Sequence, residues 1–62
     1  MSDFTAEDKM RCAERELKFR VRVYEGMVGS RKMTQRQADR EIGLMEAIMQ
    51  DYKVLAEKDR LL

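Results

Sequence analysis

The sequence predicts an all-α fold: a two-helix antiparallel hairpin that dimerises into a four-helix bundle. Three observations point there. Helix formers dominate, with no Pro to force a break. Two threonine capping signatures divide the chain into two long segments. Helix 1 carries two apolar stripes at helical spacing, and helix 2 carries one stripe wider than a single partner helix needs.

The first helix is expected over about residues 6–28. Thr5 is followed three residues later by Asp8, a capping box with a short acid. From Met10, at about 100° per residue, Ala13, Leu17, Val21, Tyr24, Met27 and Val28 share one face about 120° wide, a core stripe. Cys12, Phe19 and Val23 fall nearly opposite Met10 as a second apolar group. A lone hairpin needs one stripe per helix, so Phe19 and Val23 are expected to form a second interface. Arg20 stands at the edge of the core face, where its stem can pack while its head reaches water. Gly26, within this helix, reads as a point of close helix approach or of early fraying.

The turn is expected over about 29–34, a common helix–helix length that makes the helices antiparallel neighbours. Gly29 is the expected left-handed residue that closes helix 1. Met33 precedes the Thr34 cap and is placed for a hydrophobic staple with Ala38.

The second helix is expected over about 35–60. Thr34 and Gln37 form a T-x-x-Q capping box. Gly43 reads as a second point of close approach. Ala38, Ile42, Leu44, Met45, Ile48, Met49, Tyr52, Leu55 and Ala56 span about 160°, enough for a helix that touches two neighbours. Met45, Ile48, Tyr52 and Leu55 have the 3-4-3 spacing of a coiled seam. That run, with Phe19 and Val23, is the expected oligomer interface.

The 62 residues make one domain, 1–62, of a size that is marginally stable alone. Such chains usually need a staple. Cys12 is the only cysteine and there is no His, so neither an intrachain disulfide nor a closed zinc site can serve. Self-association is the staple that remains. The lone thiol fits a reducing compartment. Met1-Ser2-Asp3-Phe4 lacks the basic and apolar regions of a signal peptide, and the apolar runs are far short of a membrane span. A cytoplasmic location is expected.

Thirteen basic and twelve acidic side chains leave a formal charge of +1. That balance argues against a protein driven to nucleic acid by charge alone. The charges still segregate. Arg11, Arg15, Lys18 and Arg22 form a basic line on helix 1, and Asp39, Glu46 and Glu57 an acidic line on helix 2. Solvated flanks facing each other across the hairpin or the dimer are the plainer reading. The alternative is that the basic line follows a nucleic-acid backbone, with Arg31 and Lys32 extending it.

Catalytic groups are missing. No His is present, Ser2 and Ser30 have no base beside them in sequence, and no glycine-rich phosphate loop exists. Cys12 reads as inert packing rather than a reactive thiol. Glu41, Glu46 and Asp51 make no metal motif, so neither enzyme nor cofactor is expected. Six methionines could make an adaptable face, but Met10, Met27, Met45 and Met49 read as core filling. A membrane-surface helix ranks last, because both charge signs mix on the polar faces.

Val23-Tyr24, Val28, Lys32-Met33-Thr34, Ala38-Asp39-Arg40-Glu41-Ile42, Met45-Glu46-Ala47-Ile48 and Asp51-Tyr52 resemble a class of short helical proteins encoded in tailed-phage and prophage genomes. The resemblance covers about residues 14–53. Ser30-Arg31 occupies the part of the turn where that class often has a glycine before the Lys or Arg. The class has no assigned catalytic activity, so the resemblance implies context rather than site residues. That context is a small cytoplasmic accessory protein that binds and modulates a host protein.

Overall fold

A computed structural model describes residues 3–61. Met1, Ser2 and Leu62 lie outside the described residues, and with them the readings of Ser2 and of the first two leader positions. The chain forms two helices, α1 (Ala6–Gly29) and α2 (Gln35–Leu61), packed side by side. Among the described residues there is no strand. The hairpin measures 47 × 18 × 17 Å. Its radius of gyration, 14.2 Å, exceeds the roughly 10.6 Å of a compact domain of this length.

Both starts are capped as their side chains dictate. The Thr5 hydroxyl accepts the Asp8 N–H at 3.0 Å, and the Asp8 carboxylate accepts the Thr5 N–H at 3.2 Å. Thr34 and Gln37 repeat the exchange at 3.1 and 3.0 Å. Each pair satisfies two N–H groups that a helix start leaves open. Glu7 and Asp8 in the first turn of α1, and Lys58 and Arg60 in the last turn of α2, also suit the helix dipoles.

The end of α1 differs from expectation. Gly29 keeps helical backbone, and Arg31 takes the left-handed conformation with φ 64°. The Lys32 N–H reaches the Met27 carbonyl at 2.8 Å and the Arg31 N–H the Val28 carbonyl at 3.1 Å. This is the Schellman pattern. It is drawn from Met27 and Val28, both half-buried, so the left-handed position falls two residues after the glycine. Gly26 does not fray the helix, which continues to Gly29. A methyl group added at Gly26 or Gly43 would meet open space, so neither glycine serves close approach within the hairpin.

The core follows one heptad-spaced seam per helix. Ala6, Met10, Ala13, Leu17, Arg20, Tyr24 and Met27 advance by alternating fours and threes along α1, and all are half-buried or buried. Ala38, Ile42, Met45, Met49, Tyr52 and Ala56 do the same on α2. That is the 3.5-residue repeat of two helices crossing at a shallow angle. The most deeply buried members are Ala13, Ala38, Met45 and Ala56, so alanine occupies most of the tightest contacts. Val21, expected in the core, is instead largely exposed on the flank of α1.

Candidate interaction surface

The seams leave two long flanks on the hairpin. About 100° from the seam in one direction, α1 presents Cys12, Phe19 and Val23, and α2 presents Leu44, Ile48 and Leu55. Because the helices are antiparallel, these two sets lie on the same side. The side is identified by contacts made across the groove. Arg20 donates from Nη1 to the Glu41 carbonyl at 3.1 Å, and the Lys9 ammonium sits 5.5 Å from the centre of the Tyr52 ring. Phe19 and Leu44 are each 50% exposed, Leu55 47% and Ile48 38%. Val23 is half-buried.

The expected interface run therefore divides. Met45 and Tyr52 point into the hairpin, where Met45 is 9% exposed. Ile48 and Leu55 join Leu44 on the open face. The reason is angular: the hairpin seam on α2 steps through 45, 49, 52 and 56, and a second seam through 44, 48 and 55 lies beside it. The breadth of the α2 stripe is the breadth of two adjoining seams.

Across the middle of this face runs one ion cluster. Arg20 Nε donates to Glu16 Oε1 at 3.0 Å, and Arg20 Nη1 lies 3.7 Å from Glu41 Oε2. The Arg20 side chain is 23% exposed. The Glu16 hydrogen bond holds its guanidinium above the ordinary arginine range, against an opposing contribution from burial. Arg20 was expected to send its head to water. It clamps the two helices instead, and the signal was there: Arg20 stands on the α1 seam, where a side chain must face α2.

The charge lines are placed differently from expectation. The basic line lies on the back of α1, turned roughly 170° from the seam. The acidic line lies on the other flank of α2, about 100° from its seam. Among the described residues no ion pair joins them. Arg11 pairs instead with Glu7 at 3.1 Å and Lys18 with Glu14 at 3.8 Å, each one turn back on α1. The second cross-helix pair is Arg60 with Glu7 at 2.8 Å. The two arginines beside Glu7 hold its carboxyl below the usual glutamate range, Arg11 contributing most. Arg15 and Arg22 have no ion-pair partner among the described residues.

Cys12 is exposed, not packed, and lines a surface hollow of about 550 Å³ with Phe4, Asp8, Lys9, Arg11 and Arg15. Among the described residues no group of three or more acidic or cysteine side chains is placed to hold a metal ion. Among those residues, too, no helix is long and apolar enough to cross a membrane. No family model matches the chain, and neither a curated protein nor a solved structure is significantly similar to it.

Proposed function

We propose that this chain is a non-catalytic helical hairpin that pairs with a second copy into a four-helix bundle and acts by binding another protein. The observation that carries this reading is the open apolar face, where Phe19, Leu44, Ile48 and Leu55 expose large side chains from both helices at once. The total surface of the hairpin leaves room for a dimer interface. The hairpin exposes 5280 Å². A compact monomer of this mass would expose about 4,200 Å². The excess, about 1,100 Å², is comparable to the roughly 800 Å² that each partner buries in a standard interface. The resemblance to phage-encoded accessory proteins supplies the context of the reading: a host protein as the eventual target, met in the cytoplasm.

Sedimentation equilibrium at micromolar concentration tests the pairing, with dimer or a higher oligomer expected. A folded, stable monomer defeats it. Replacing Phe19 and Val23 by Asp should dissociate the oligomer, and survival of both oligomer mass and partner capture would remove the face from the mechanism. Affinity capture of the tagged chain from its host would name the partner. The rival reading assigns Arg11, Arg15, Lys18 and Arg22 to nucleic acid, and Arg15 and Arg22 are its free cations. It requires binding that weakens steeply with salt. No shift of single- or double-stranded DNA at low salt removes it.

A further inference from the structure

We propose that the second copy lies on the apolar face with its long axis reversed, about a two-fold axis perpendicular to the hairpin and level with Glu16 and Met45, so that the two turns sit at opposite ends of the bundle. The proposal rests on the self-pairing reading above and adds its geometry. It comes from the charges that border the apolar face.

Two symmetric ways exist to lay one hairpin face to face on another. In the first, the two-fold runs along the hairpin. Both turns are then at the same end, and α1 of each copy packs on α2 of the other. In the second, the two-fold crosses the hairpin. The turns are then at opposite ends, α1 packs on α1, and α2 packs on α2.

The height scale is set by the groove contacts. Arg20 is level with Glu41, and Lys9 with Tyr52, so each step down α1 matches one step up α2. On the outer border of the apolar face, α1 carries Asp8 and Arg15, with Arg22 one step further toward the back, and α2 carries Arg40, Asp51 and Lys58; all six are exposed.

With the turns together, Arg22 meets the second copy's Arg40, and Asp8 comes within about half a turn of the second copy's Asp51. Both contacts set like charges together. A two-fold along the hairpin permits no sliding, so the clash cannot be relieved. With the turns apart, the axis can sit at any height. Placed level with Glu16 and Met45, it sets Arg40 against the second copy's Asp51 and Asp8 against the second copy's Arg22. The same height lays Phe19 over the second copy's Cys12 and Leu44 over the second copy's Ile48. One position of the axis thus pairs Arg40 with Asp51 and Asp8 with Arg22 while it stacks Phe19 on Cys12 and Leu44 on Ile48; Val23 and Leu55 fall opposite Asp8 and Gln37. Arg15 meets its own mate near the axis, with the Glu16 carboxylates one residue away to offset the repulsion. Complementary flanking charges of this kind set orientation more than affinity.

Charge reversal tests the orientation, read by sedimentation equilibrium with helicity checked by circular dichroism. Asp51→Arg and Arg40→Asp should each weaken the dimer by about 5- to 30-fold, since two symmetry-related pairs turn repulsive. The double variant should restore most of the affinity. A dimer tightened by either single change, or unmoved by both, overturns the reversed arrangement while leaving self-pairing intact. A wild-type chain that stays monomeric at hundreds of micromolar overturns both. Phe19→Cys gives an independent readout beside the native Cys12. It should yield an interchain disulfide on mild oxidation, seen as a dimer band without reductant. The unaltered chain should yield little, because the two Cys12 residues lie about 10 Å apart along the bundle. Absence of the band from a folded, dimeric Phe19→Cys variant overturns the proposal.

Discussion

The two long flanks of the hairpin are built from the same helices and differ in almost every respect. One carries Phe19, Leu44, Ile48 and Leu55, crossed by the single Glu16–Arg20–Glu41 cluster. The other carries Glu14, Glu25, Asp39, Glu46 and Glu57, all exposed, with Val21 as a lone exposed apolar side chain among them. A free hairpin would gain solubility from two polar flanks. Under the proposed pairing, one flank is buried and the other stays in water. Scattered exposed apolar residues are ordinary in proteins, but residues from both helices gathered on one side are not scattered.

The largest expected effect removes what both flanks share. Met45→Asp places an unpaired charge in the seam and should cost about 3 kcal/mol or more. That exceeds what so small a core can spare, so helicity should collapse in far-ultraviolet circular dichroism. A variant that keeps full helicity would show that the seam is not the core. Next comes the contrast between flanks. Leu44→Asp with Ile48→Asp should leave the monomer helical and weaken self-association more than about 100-fold, from the burial of two leucine-sized side chains in each copy. Glu46→Ala, on the other flank, should change it less than about twofold. Equal effects in the two variants would erase the distinction between the faces.

Smaller effects sharpen the local structure. Thr34→Ala removes the hydroxyl that accepts the Gln37 N–H, keeps the backbone N–H that donates to Gln37, and should cost about 1 kcal/mol in chemical denaturation. Arg31→Gly should raise stability by about 0.5–1 kcal/mol, because glycine adopts the left-handed conformation without steric cost. A destabilised Arg31→Gly variant would mean that the arginine side chain has a structural role. The smallest effect is in pH. Glu7 has a folded-state pKa below its unfolded value, so its contribution is present above the unfolded pKa. It is lost as pH falls through the lowered folded value. Glu7→Gln should therefore lower stability slightly at neutral pH, flatten the acid side of the profile and converge with the unaltered chain at low pH, as a thermal melt series would show.

The caps and the helical character of this fold are legible in its sequence because they are local. Thr5 with Asp8 and Thr34 with Gln37 each need only their own four residues to act. The left-handed position was not legible, since glycine preference pointed to Gly29. The deciding event is capture of the Met27 carbonyl by Lys32, which depends on how far α1 stays packed on α2. The residues of the open apolar face were half legible. Angular arithmetic grouped Phe19 with Val23, but it could not separate Met45 and Tyr52 from Ile48 and Leu55 until the direction of α1 was known. Arg20 was misplaced for a related reason: composition sends an arginine to water, while its place on the seam sends it to Glu41.

Among the described residues, the buried core holds one methionine and three alanines. A fold with so little of its own interior, if completed by a second copy, becomes a matter of dose. Pairing stabilises the folded state by mass action, so its melting temperature rises with protein concentration. The amount of folded chain then rises more steeply than the amount of chain made. Sparse expression would leave the chain largely open to proteases, and a burst of synthesis would carry it across the threshold at once.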